Sequence, residues 1–317
     1  MAKNRRNSGP SNIVALGASM GGVETLSKLV ASLPGDFKAP LLVVMHTSAH
    51  GPGLLPQILG RAGRLPAKHA EEGDRIAPGN IYVAPPDQHL LVKDGHLRLS
   101  RGPTINRSRP SVDVLFQSAA EAYGPQVIGV VLTGSLSDGV AGLEEIRARG
   151  GTTIVQDPAD ASCPEMPLNA IRAMSIDYTV PLAEIPALLA ELVARAPQQK
   201  ARGQKRRAAK AEQKRKFDLI CPDCGGPLHE VTENKIVQFR CRVGHTYSTE
   251  SLLSAHAEGL ERSLWAAVQL LEERADLLRR VASRLPGPAE RSKRDFEAKA
   301  RHCEEHSAAL RKIVEAT

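Results

Sequence analysis

The chain has 317 residues, 42% of them hydrophobic and 24% charged, room for two domains at about 100–200 residues each and a balance that excludes a wholly disordered chain. Aromatic residues make up only 3%, so the core must be built from Val, Ile, Leu and Ala, and five cysteines do not suggest a disulfide scaffold. The net charge is +7, but residues 197–216 hold nine lysines and arginines against one glutamate, which leaves the rest of the chain close to neutral.

The first residues, MAKNRRNSGPS, are basic with no apolar run behind them, so residues 1–11 read as a flexible tail and not as a signal peptide. No apolar run approaches the ~20 residues a bilayer span requires. Membrane insertion is therefore not expected, and a reducing, cytoplasmic compartment is. Residues 12–195 alternate between strand-like and helix-like stretches. Residues 13–16, 41–45, 81–84, 127–132 and 152–155 are short Val/Ile/Leu-rich runs bounded by Gly, Pro or polar residues, as buried strands are. Helical patterns over 23–33, 112–123 and 143–149 lie between several of them. This alternation predicts an α/β domain, a doubly wound and mainly parallel sheet with helices on both faces. Residues 90–99, centred on Lys93-Asp94-Gly95-His96, read as an inserted hairpin.

Residues 196–216 read as a basic linker, either a solvated spacer or an arm drawn to nucleic acid or an acidic protein. A compact module over 217–249 follows, then a helical hairpin over 250–317. In the hairpin, Leu253, Leu260, Leu264, Ala267, Leu271, Leu278 and Leu285 keep helical spacing, as do Phe296, Ala300, Cys303, Leu310 and Val314. Pro286-Gly287-Pro288 should separate the two helices. Their apolar stripe either packs on its own protein or docks a protein partner.

Gly17-Ala18-Ser19-Met20-Gly21-Gly22 joins the first strand to the first helix and fits G-x-S-x-G, the turn that projects a nucleophilic serine above a sheet. Helix-start N–H groups there can stabilise an oxyanion. A Gly-rich turn can also hold phosphates, but a dinucleotide site asks for an acid at the end of the second strand, and here that strand ends in His46, suited to a general base. Two aspartates follow later strands, Asp138 and Asp157, and spacing alone leaves both open as the third member of a relay.

These residues, with Asn106-Arg107-Ser108-Arg109-Pro110-Ser111-Val112-Asp113 and Leu132-Thr133-Gly134 through Asp138-Gly139, resemble the catalytic domain of the CheB chemotaxis receptor methylesterases over residues 12–195. The resemblance implies a triad of Ser19 as nucleophile, His46 as general base then acid, and Asp138 as its orienter. It implies a carboxylic ester hydrolase of signal transduction, a protein-glutamate methylesterase that also deamidates glutamine, acting on methylated chemoreceptor cytoplasmic helices or related signalling proteins and needing no cofactor for catalysis. Met20, Ser135 and Ser137 depart from the residues common in the family, and Met20 and Ser135 motivate an alternative, a scaffold of the same fold with weak or no catalysis docking through its C-terminal modules. The family's N-terminal receiver domain has no counterpart in the dozen residues before the first strand, so control is expected from elsewhere. Arg107 and Arg109 are candidates to hold an acidic receptor segment.

Cys221-Pro-Asp-Cys224 followed by Cys241-Arg-Val-Gly-His245 has the Cys-x2-Cys…Cys-x3-His spacing of tetrahedral zinc in a short zinc ribbon. Cys221, Cys224, Cys241 and His245 leave no open position, so the zinc is structural. Nucleic acid is disfavoured as a partner, because the scarce aromatics offer bases little to stack on.

Overall fold

The computed structural model describes residues 10–195, 216–233, 236–285 and 290–315. Residues 1–9, 196–215 of the basic linker and the Pro-Gly-Pro break lie outside them. The chain divides into two compact units, residues 1–252 and 253–317.

The first unit opens with β1 (Ile13–Ala18), α1 (Gly22–Ala31), β2 (Leu41–Met45), α2 (Leu55–Ala62), β3 (Ala67–His69) and β4 (Ile81–Val83). A hairpin of β5 (His89–Lys93) and β6 (His96–Ser100) leads to α3 (Val112–Tyr123). Then come β7 (Val127–Val131), α4 (Val140–Ala148), β8 (Thr152–Gln156), α5 (Glu165–Ala173), β9 (Tyr178–Val180) and α6 (Ile185–Ala194). Seven strands form one sheet in the order β3-β4-β2-β1-β7-β8-β9, every neighbouring pair parallel.

Alternation along β1 shows why the sheet is covered twice. Ile13 and Ala15 join a buried cluster with Leu115 and Phe116 of α3, Leu143 of α4 and Ala170 of α5. Val14, Leu16 and Ala18 join the opposite cluster, with Leu26 of α1, Leu59 of α2 and Leu189 of α6. Successive side chains point to opposite faces of a strand, so a continuous apolar run such as 13–18 must be buried on both. The predicted doubly wound fold is what the structure contains. The short edge strands β3 and β9 have three residues each, too few for a periodic pattern to stand out in the sequence.

After the linker, β10 (Lys216–Ile220), β11 (Pro227–Glu233), β12 (Ile236–Cys241) and β13 (Thr246–Ser248) form an antiparallel four-stranded sheet. Cys221, Leu228, Cys241, Tyr247 and Leu252 make its small core.

The second unit is a helical hairpin, built from α7 (Thr249–Arg284) and α8 (Glu290–Glu315). Glu272 of α7 pairs with Arg311 of α8 at 2.7 Å, and Arg279 pairs with Glu304, as antiparallel neighbours do. The seam keeps Leu271, Leu278, Ala300 and Cys303 of the predicted stripes and adds Ala275. Ala275, Ala300 and Cys303 form the buried contact, flanked by Leu271 and Leu278, while Leu253 and Leu260 are exposed. Small side chains let the helices approach closely, so the contact follows Ala and Cys rather than the largest leucines. Among the described residues no helix is long and apolar enough to cross a membrane.

Candidate active site

Three adjacent central strands each deliver one side chain to the same edge of the sheet. Ser19 follows β1, His46 follows β2, and Asp138 precedes α4 beyond β7. The strand order reverses at β1, the kind of switch point at which open α/β sheets bind ligands. Ser19 N–H donates to Thr133 O at 2.9 Å and His46 N–H to Ala18 O at 3.2 Å, which ties the three strand ends together. Two glycines permit the close approach. A Cβ on Gly17 would lie 2.3 Å from Val112 Cγ1, at the start of α3; one on Gly134 would lie 2.1 Å from Met166 Sδ and 2.7 Å from Ser19 Cβ.

Ser19 Oγ lies 3.2 Å from His46 Nδ1, and His46 Nε2 lies 2.7 Å from Asp138 Oδ2. An ionised carboxylate only accepts, so Nε2 carries its hydrogen toward Asp138 and Nδ1 presents a lone pair to the serine hydroxyl. The imidazole is 18% exposed and the carboxylate 2%, so solvent and substrate reach one end of this relay only. Asp157, the alternative carboxylate, follows β8 one strand further out and accepts Ala159 N–H at 2.9 Å, a turn residue.

Asp138 is saturated with donors. Oδ1 accepts Ser111 Oγ at 2.8 Å and the Asp113 N–H and Asn106 Nδ2 at 3.2 Å each; Oδ2 accepts Val112 N–H at 2.7 Å. Val112 and Asp113 open α3, so the positive end of that helix also faces the charge. Burial alone would raise this carboxyl, but His46, the Val112 N–H and Ser111 outweigh it and hold it below the usual carboxylate range. Its neighbour Asp113 is pushed well above that range by burial and by the Asp138 charge, although it accepts N–H bonds from Gly142 and Gly139. One negative charge in this pocket therefore belongs on Asp138.

Several of these supports carry no legible role in the sequence. Ser111 sits at an N-cap position yet makes no cap bond, because its hydroxyl is turned to Asp138. His89, kept neutral by burial, donates from Nε2 to Pro103 O at 2.9 Å and accepts Ser111 N–H on Nδ1 at 3.2 Å, bracing the loop before α3. Arg109 is spent within the protein, on Asp87 at 2.6 Å and Gly102 O at 2.7 Å, so it is not an open clamp for an acidic segment. The N–H groups of Met20 and Gly21, ahead of α1, meet no acceptor among the described residues.

The four-stranded sheet gathers Cys221, Cys224, Cys241 and His245 so that their ligand atoms all lie within 4.8 Å of one another, a cluster that could hold a metal ion. Cys224 and Cys241 Sγ are 3.7 Å apart, and His245 Nδ1 is 3.4 Å from Cys241 Sγ. A tetrahedron with metal–sulfur bonds of about 2.3 Å has edges of about 3.8 Å, so the donor set already fits. Burial disfavours the Cys241 thiolate, yet N–H groups of Gly244, His245 and Val243 and the Cys224 thiol bring it down to about 7.

Residues 14–189 match the family model described as CheB methylesterase. A Leptospira interrogans protein provisionally named protein-glutamate methylesterase/protein-glutamine glutaminase is 42% identical over 180 residues, 56% of this chain and 93% of that one. The protein-glutamate methylesterase FrzG of Myxococcus xanthus is 40% identical over 185 residues, 58% of this chain but 55% of its own. The crystal structure of the Thermotoga maritima CheB methylesterase catalytic domain superposes with a TM-score of 0.56 at 36% identity, covering 58% of this chain and 99% of that one.

Proposed function

We propose, on the premise that this chain belongs to the CheB methylesterase family, that it is a protein-glutamate methylesterase acting on methylated chemoreceptor cytoplasmic helices or related signalling proteins in the cytoplasm. The observation that carries the reading is the Ser19–His46–Asp138 relay at the switch point of the sheet.

In this reading Ser19 Oγ attacks the carbonyl carbon of a glutamate methyl ester while His46 Nδ1 takes the hydroxyl proton. Asp138 holds the ring and stabilises its cation. The Met20 and Gly21 N–H groups are placed to meet the oxyanion. His46 returns the proton to departing methanol, then activates water to release the glutamate from the serine ester. A glutamine side chain follows the same course with ammonia leaving, which accounts for a glutaminase activity. A weakly active scaffold is the rival reading, motivated by Met20 and Ser135. Met20 exposes its side chain and Ser135 Oγ is 3.3 Å from Cys163 Sγ, so neither change removes a backbone donor, which favours catalysis. With radiomethyl-labelled receptor, the full chain is expected to release labelled methanol with turnover. Release no faster than the receptor's spontaneous hydrolysis would leave the scaffold.

We place a structural zinc on Cys221, Cys224, Cys241 and His245. Bound there, zinc supplies a four-ligand cross-link, and its affinity becomes folding free energy of the module. The division into a tail over 1–11, a catalytic domain over 12–195, a linker over 196–216, a ribbon over 217–249 and a hairpin over 250–317 follows, with the hairpin offered to a protein partner. Elemental analysis of the purified chain is expected to find one zinc per chain, lost in the Cys224→Ser variant; no bound metal in the freshly purified, reduced protein would refute the site.

A further inference from the structure

The loop ahead of α3 runs edge to edge with the metal-binding module. Asn106 N–H donates to Thr246 O at 2.7 Å and Thr246 N–H to Thr104 O at 3.3 Å, while Ile105 bridges Thr246 in parallel register. Ile105 thus makes a single bridge along β13, with a backbone bond on either side of it. Thr104 Oγ1 donates to Asp223 Oδ2 at 2.5 Å, between the first two cysteines. Ile236 of β12 packs against the hydrophobic cluster that contains α3 and α4. In the loop that carries Asp138, Ser137 Oγ lies 2.6 Å from Ser248 Oγ and donates to Glu250 at 3.1 Å.

Asn106 stands at the centre of this contact, 4% exposed. Its Nδ2 donates to Asp113 Oδ2 at 2.9 Å and to Asp138 Oδ1 at 3.2 Å. Its Oδ1 accepts Ser248 N–H at 2.8 Å and Ser251 Oγ at 3.2 Å. One amide therefore joins the carboxylate behind His46 to the strand that follows the module's histidine. The backbone at Asn106 and Arg107 is left-handed, with φ of 50° and 66°. Residues other than glycine hold such a conformation when their surroundings enforce it. Ile105 and Ser108 bond each other across this pair, closing a two-residue turn that calls for positive φ at both positions. β13 anchors that turn from outside: without it, the buried Oδ1 loses the Ser248 N–H and the Asn106 N–H its acceptor, and the loop is less firmly held beside Asp138.

We propose that Asn106 is a positioning residue for the Asp138–His46 pair, and that the Cys/His module, when it holds its metal, keeps Asn106 in place, so that hydrolysis at Ser19 is coupled to metal occupancy of the module. The inference rests on the hydrolase reading and on the four-ligand site above. It makes the module a built-in support for the active site. Asp138 keeps its bonds from Ser111, Val112 and Asp113 when Asn106 is lost, so the coupling is partial: on the order of 10- to 100-fold in kcat.

The test is a double-mutant cycle on the full chain, with kcat, KM and the low-field proton resonance of the His46 ring N–H that faces Asp138 as readouts. Asn106→Ala is expected to lower kcat by about 10- to 100-fold with KM held within about twofold, and to shift or broaden that resonance. Chelation, or Cys224→Ser, is expected to give the same two changes. The combined variant is expected to be no slower than the worse single one. Should Asn106→Ala fail to fold, Asn106→Asp keeps the shape and sets a third oxygen against two carboxylates, and the same cycle is run on it. Effects that multiply in the combined variant, or a chelated protein with unaltered kcat and resonance, would overturn the coupling. If the wild type hydrolyses no ester, the proposed function fails, and the resonance alone decides this inference: unmoved by chelation, it fails too.

Discussion

Replacing Ser19 by alanine is expected to lower kcat for methanol release by on the order of 10^5- to 10^6-fold, the loss typical when the nucleophile of a serine relay is removed. Among the described residues the hydroxyl makes one hydrogen bond, to His46, and the side chain is half-buried. The Cβ that packs near Gly134 remains, so folding should be nearly untouched, with the thermal midpoint within about 2 °C of wild type. Zinc content should not change either, because the residue is no part of the metal cluster. Metal content and melting temperature therefore separate lost chemistry from lost structure. A variant that still releases methanol within tenfold of wild type would mean that another group attacks the ester. One that is dead in the test tube yet supports full signalling in cells would assign the protein to the scaffold reading.

The residues proposed to perform the chemistry were more legible in the sequence than the residues that support them, and the reason is local. Ser19 and His46 each follow a strand of continuous apolar residues, and such runs can be read without knowing what lies beside them. Choosing Asp138 over Asp157 needed the strand order, since β7 borders β1 and β8 does not; spacing is silent on order, and only the family resemblance chose the carboxylate that the structure brings beside His46. The cysteine and histidine spacing likewise announced a cluster that could hold a metal, because its four residues come from two tight turns. Asn106 is different. Its importance arises from groups at 113, 138, 248 and 251 meeting at one amide, and no window of sequence contains that junction. The hairpin seam was legible in part: Leu271, Leu278, Ala300 and Cys303 stood in the periodic stripes, whereas Ala275 did not, because periodicity ranks leucines above the small residue that leaves room for contact.

The second large loss is expected from Asp138→Asn, a change of one atom that the surrounding donors cannot accommodate. If the new amide nitrogen takes the place of Oδ2, it faces the Val112 N–H and the Nε2 of His46. The ring can answer only by moving its hydrogen to Nδ1, which then points a proton at Ser19 instead of a lone pair. If the nitrogen takes the place of Oδ1, it faces the Asp113 N–H and the Asn106 amide. Either way a buried backbone donor is left unmatched, at a cost of about 1–3 kcal/mol in stability, and kcat/KM should fall by on the order of 10^4-fold. The pH dependence of stability should change as well. Asp138 titrates below the usual carboxylate range in the folded protein, so its charge stabilises the fold above the unfolded value and that contribution is lost as pH falls through the folded one. The variant lacks this term, so its stability should decline less on acidification. Asp113, shifted upward, acts in the opposite sense and favours the folded state more at low pH. In the variant its neighbour is uncharged, the repulsion that helps to raise it is gone, and this second slope should flatten too. Chemical denaturation at several pH values, with kcat/KM for ester hydrolysis, measures both effects, and Asp157→Asn is the control, expected to stay within about twofold of wild type because Asp157 caps an exposed turn. Comparable losses in the two variants, or an Asp138→Asn enzyme within tenfold of wild type, would remove Asp138 from the relay.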